Sequence, residues 1–259
     1  ITYSKVDEEL GVGVTGAKAE HSAKSYAGFS LREERNPLFY AVGERGEFTV
    51  ETDTIRGTGD LVIRYYYVRN METGYKVEYY HQDLNEDGTV ADTYSKVDET
   101  TGNGVTGTAA AYDVRSYAGF TYQEDLTTPL DKSIIGDGSL VIKLYYDRDT
   151  ETGYKVEHYL ENIDGTYPAI PEATDTLSGM TGTTATYAEK AYAGFTYEAT
   201  LTTPEDKTIA GDGSLVIKLY YTRNTDTAYT VEHYLENIDG TYPTIPEATD
   251  TLSGMTGTI

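Results

Sequence analysis

The chain has 259 residues, in which 43 Asp and Glu outweigh 20 Lys and Arg for a net charge of -23, with 26 Tyr, 26 Gly and neither Cys nor Trp. A field of that sign repels phosphate backbones and anionic lipid headgroups, so no nucleic-acid partner is expected, and without cysteine neither a disulfide framework nor a thiolate metal site can form. No run of about eighteen apolar residues is present to insert directly into a bilayer, and abundant Tyr, Thr and Gly favour strands joined by tight turns over helices.

In chain order the organising feature is repetition. Residues 1–70 read as an incomplete repeat that lacks its opening strand; Thr2 to Glu8 (TYSKVDE) returns at Thr93 to Glu99, and an extra stretch near 35–51 precedes the closing Leu61-Val62-Ile63. Residues 71–150 and 151–225 read as complete repeats. Their openings, YKVEYYHQDLNEDGT from Tyr75 and YKVEHYLENIDGT from Tyr154, match, and so do their endings, TTPLDKSIIGDGSLVIKLYYDR from Thr127 and TTPEDKTIAGDGSLVIKLYYTR from Thr202. Residues 226–259 read as the opening half of a further repeat, since Tyr229 to Thr258 repeats Tyr154 to Thr183 with only Thr230 for Lys155 and Thr244 for Ala169. Such ends arise either when a window is cut from a longer array or when the chain has a free opening strand at one end and a missing one at the other.

Within a repeat, Tyr154 to Tyr159 alternates, which places Tyr154, Val156 and His158 on the inner face of a strand and Lys155, Glu157 and Tyr159 on the outer. Asp164-Gly165 and Asp212-Gly213 suit tight hairpin turns. Leu215 to Tyr221 is the most apolar stretch and is predicted to be the central strand. Ala185 to Phe195 is predicted as strand and turn, its aromatics filling a small core while Gly194 lets the backbone bend. The units are expected end to end on short linkers, as an elongated rod on the order of 100 Å long by the size scaling of compact domains.

The pattern YxVEHYxxNxDGTY, followed by TGxTG, YxGF and GDGSLVIKLYY, resembles the β-grasp-like repeats of Gram-positive cell-surface proteins, the mucin-binding (MucBP) and internalin B-repeat group. The fold class expected is mainly β, with β-grasp-like or small β-sandwich units and little helix. What the resemblance implies is an extracellular bacterial location and either a stalk that holds an adhesive domain away from the wall or a module that binds mucin, other glycans or host matrix through tyrosine-rich faces. It carries over no catalytic or ligand residue.

No nucleophile elbow, zinc helix or phosphate loop occurs, so no enzyme and no cofactor or metal is expected. His158 and His233 recur at a position held by Tyr79, which reads as ring packing, and His21 and His81 read as solvated. The turn Asn85-Glu86-Asp87-Gly88 lacks the ligand spacing of a calcium loop. One covalent candidate is an internal isopeptide bond between Lys155 and Asn224 with Glu157 as proton shuttle; the preceding repeat offers Lys76 and Asp149. Tyr229, Val231, His233 and Tyr234 form a segment able to complete the strand-deficient repeat of a neighbouring chain.

Overall fold

The structure is a computed structural model that describes residues 2–43 and 46–257. It is mainly β: fifteen strands and two short 3-10 turns make up its regular elements among the described residues. The chain divides into two compact units, one of residues 1–80, 95–114 and 123–145, the other of 81–94, 115–122 and 146–259.

In the first unit, residues 3 to 17 form no strand. Strands β1 (Phe29–Leu31) and β5 (Tyr67–Arg69) pair antiparallel, and β2 (Leu38–Gly43), β3 (Gly46–Val50) and β4 (Leu61–Arg64) form a sheet in the order β3-β2-β4. The extra stretch near 35–51 is thus a hairpin laid on β4. Strands β6 (Thr73–Leu84), β7 (Val90–Gly104), β8 (Phe120–Thr128) and β9 (Val141–Arg148) follow in the order β7-β6-β9-β8.

The second unit contains the sheet that shows the repeat most completely. Strands β10 (Thr152–Leu160), β11 (Ala173–Gly179), β12 (Phe195–Tyr197) and β13 (Val216–Arg223) lie in the order β11-β10-β13-β12. β10 pairs antiparallel with β11 and parallel with β13, whose central place agrees with its apolar sequence. The core gathers Tyr154, Val156, Ala185, Ile209, Leu215, Ile217, Leu219 and Tyr221, with Tyr187, Tyr192 and Phe195 packed against it. The final elements, β14 (Thr227–His233) and β15 (Ala248–Gly254), make a two-stranded antiparallel sheet.

Three local expectations are corrected. Residues 185–194 form neither strand nor helix: they run as an extended loop ending in a turn at Gly194, φ 81°, and only Phe195 enters a strand. Asp164-Gly165 does not close a tight hairpin but sits inside the longer 161–172 connection, where the Asp164 carboxylate accepts from the Thr166 amide (3.0 Å) and hydroxyl (2.6 Å). His81 is not solvated, since it stacks on Phe120 at 3.9 Å and meets Tyr117 edge-on at 4.5 Å; His21 bonds the Tyr65 hydroxyl at 2.6 Å.

Candidate functional site at the junctions between repeats

The feature that recurs with the repeat is a junction. Each closing strand ends in an arginine followed by Asn or Asp, and each following repeat contains a Thr-Gly pair. Arg148 donates from Nη1 to the Thr181 carbonyl (3.1 Å) and from Nε to the Gln82 carbonyl (2.7 Å), with its guanidinium 5.1 Å from the centre of the Phe120 ring. Arg223 does the same with Thr256 (2.8 Å), the Glu161 carbonyl (2.8 Å) and Phe195 (5.0 Å). In the first unit Arg69 donates to the Thr106 carbonyl (2.8 Å) and lies 5.4 Å from the Phe29 ring.

The backbone closes the same contact. The Asp149 amide donates to Gly119 and the Thr181 amide to Asp149, both at 2.9 Å; Asn224 with Gly194 and Thr256 repeats this, as does Asn70 with Gly28 and Thr106. Gly119 has φ +77°, and a Cβ there would lie 2.5 Å from the Gly211 Cα and run into the Thr181 side chain. Beneath the arginines, Thr152 and Thr181 join hydroxyls at 2.6 Å and Thr73 and Thr106 at 2.7 Å, both pairs buried. Burial lowers the Arg148 pKa below its ordinary value, although it stays charged. A planar cation that satisfies two carbonyls and covers an aromatic ring fixes direction as well as distance, which a lysine cannot do.

Sequence reasoning took the Tyr-Ala-Gly-Phe glycine as a bend inside one repeat and passed over the arginine and the Thr-Gly pair. The signal was present: Arg148 to Thr181 and Arg223 to Thr256 are both 33 residues apart, with the same residue types at each end.

The other candidates are placed as follows. Lys155 lies opposite Val216 at one end of the parallel β10–β13 pair, whereas Asn224 lies beyond Tyr221 at the other and binds the Thr196 hydroxyl (2.7 Å). Eight residues of strand separate Val216 from Asn224, about 26 Å at the usual rise, so the structure does not bring Lys155 and Asn224 together. Glu157 accepts from the Tyr159 hydroxyl at 2.6 Å.

His158 is fully buried. The Tyr221 hydroxyl accepts from the Lys190 amide (2.9 Å) and lies 2.9 Å from His158 Nδ1; His158 Nε2 lies 3.1 Å from one oxygen of Asp175, whose other oxygen takes Lys190 Nζ (2.6 Å). The order of groups is that of a proton relay, but both His158 and Tyr221 are inaccessible to a substrate, and the network cross-links β10, β11, β13 and the 185–194 loop instead.

On the outer face two tyrosine pairs recur. Tyr80 and Tyr145, both half-buried, stack at 5.2 Å beside Lys143 and Glu78; Tyr159 and Tyr220 stack at 5.3 Å beside Lys218 and Glu157, but there Tyr159 is buried, against its expected outward place, and Tyr167 meets Tyr220 edge-on at 4.8 Å. Each ring covers its partner's face. Tyr229, Val231, His233 and Tyr234 all lie on or just after β14; Tyr229, His233 and Tyr234 are exposed and Val231 is half-buried. Among the described residues no cluster of three or more His, Asp or Glu side chains is arranged to hold a metal ion. Neither a protein-family model nor a curated protein matches the chain.

Proposed function

We propose that this chain is part of the repeat stalk of an extracellular bacterial surface protein, a spacer of the kind found in the mucin-binding and internalin B-repeat group, without catalytic activity. The observation that carries this reading is the junction: Arg69, Arg148 and Arg223 each seize the Thr-Gly turn of the following repeat with the same donors and acceptors. A spacer must transmit length, so its boundaries need fixed geometry, and a contact rebuilt at every boundary supplies it. A ligand site carries no such requirement to recur at each boundary. Small-angle scattering tests the reading: an end-to-end array gives a maximum dimension on the order of 100 Å from the scaling of compact domains, and a compact particle would exclude it.

A second reading, binding of mucin, other glycans or matrix, is favoured by the recurrence of a stacked tyrosine pair flanked by Lys and Glu in both complete repeats. A glycan array separates the two: binding lost in Tyr145→Ala and Tyr220→Ala chains supports it, and a blank array leaves the spacer.

A further inference from the structure

Tension applied along the chain enters and leaves a repeat through its first and last strands. In the repeat of residues 151–225 these are β10 and β13, and they are neighbours, running parallel from Lys155 opposite Val216 to Leu160 opposite Tyr221. Their starts lie together: a Cβ on Gly213 would come 3.4 Å from the Gly153 carbonyl oxygen. Their ends lie together as well, where Arg223 donates from its amide to the Glu161 carboxylate and from Nε to the Glu161 carbonyl, both at 2.8 Å. The polypeptide therefore arrives at one end of the pair, beside Thr152, and departs from the other, beyond Arg223.

Opposed pulls at those two points slide β10 and β13 along each other. The cross-strand bonds lie across that motion and must yield together, whereas a pair of strands pulled apart from one end gives its bonds up one at a time. β11 and β12 hang on the outer sides of the pair, so the load passes directly from β10 to β13. Among the bonds it meets are those from the Lys155 amide to the Leu215 carbonyl and from the Glu161 amide to the Tyr221 carbonyl, both at 3.0 Å. Side chains fasten the same two strands: His158 Nδ1 lies 2.9 Å from the Tyr221 hydroxyl, and Tyr159 stacks on Tyr220 at 5.3 Å. Val156, His158, Ile217 and Leu219 are all buried, which keeps water from taking the place of a stretched bond.

We propose that the β10–β13 pair is a mechanical clamp, the element that keeps this repeat folded when it is pulled along its chain. Resistance to tension is a different duty from keeping a distance, and it rests on the stalk reading only in that a stalk supplies the load. The resistance is directional, because a pull at the two neighbouring starts, near Thr152 and Val216, opens the same ladder from one end. His158, buried beside Tyr221, pins β10 to β13 toward the outgoing end.

The chain has no cysteine, so cysteines placed in pairs fix the two points at which the full chain is pulled. Glu151→Cys with Thr225→Cys loads the clamp in shear and Glu151→Cys with Ser214→Cys peels it open; all three positions are exposed. In a single-molecule force experiment at one pulling rate, shear should need about threefold or more the rupture force of peeling, since bonds that share a load outlast bonds met singly. A rupture in shear should free roughly 200 Å, the reach of about 70 extended residues less the folded span. Equal urea midpoints for the two variants assign the difference to direction and not to stability. Equal rupture forces in the two geometries overturn the clamp and leave the stalk as a spacer that bears no tension. A compact particle in scattering overturns the stalk instead and leaves the clamp, which the ratio of forces alone decides.

Discussion

At the scale of single residues, burial and hydrogen bonding decide what each polar side chain does. His158 was legible as an inner-face ring from the alternation of Tyr154, Val156 and His158, but its partners were not, because Asp175, Lys190 and Tyr221 come from three other segments. Replacing it with Ala removes a packed ring and the hydrogen-bond partner of the Tyr221 hydroxyl; the expected cost is about 3 kcal/mol, read as a lower urea midpoint for a probe in residues 151–223. The outer-face tyrosines make a second prediction. Glu78 bonded to its hydroxyl, and then burial, push Tyr80 up to about 12, while burial and then Glu157 push Tyr159 to about 12. Both stay protonated in the folded chain where an unfolded tyrosine ionises, so they stabilise fully below pH 10 and the contribution is lost as pH rises to about 12. Ultraviolet titration of Tyr80→Phe and Tyr159→Phe chains should each remove one late-ionising phenol.

At the scale of elements, the strands were readable and the connections were not. Val216–Arg223 announces itself by apolar, β-branched composition, and it is one of the two inner strands of its sheet. Residues 185–194 defeated pattern reading because their tyrosines pack inward from an irregular path that no period describes. The glycines of Tyr-Ala-Gly-Phe were read correctly as a bend, which their positive φ bears out, but the crowding of Gly119 by Thr181 and Gly211 is tertiary and leaves no trace in local sequence. It makes a sharp prediction. Gly119→Ala strains the backbone and drives a methyl into the next repeat, so the contact must open; Arg148→Ala removes the two carbonyl bonds from the same place. Each should cost about 1–3 kcal/mol, and because both break one contact the double variant should lose less than their sum. Additive losses in a denaturant-monitored double-mutant cycle would show that glycine and arginine act independently.

At the scale of the whole molecule, the charge of -23 acts in two opposed ways. Locally, carboxylates stabilise. Hydrogen bonds from Thr166 hold Asp164 below its ordinary value, those from Ser214 do the same for Asp212, and Lys190, then His158, lower Asp175. Groups depressed in the folded state contribute above the ordinary 3.8 and lose that contribution as pH falls through and below it. Globally, so many like charges repel, and folding brings them closer together than in the open chain. The two effects differ in range and therefore in response to salt. Bonds under 3 Å are scarcely screened, while repulsion across a domain is largely removed at physiological ionic strength, where the screening length is about 8 Å. Adding sodium chloride at pH 7 should accordingly raise Tm. The gain should shrink as pH approaches the isoelectric value of 4.4, where little net repulsion is left to screen, even though the aspartate turns are still formed there. Calorimetry over a grid of pH and salt reads both trends, and a Tm indifferent to salt at pH 7 would mean that the repeats hold their carboxylates far enough apart for self-repulsion not to matter.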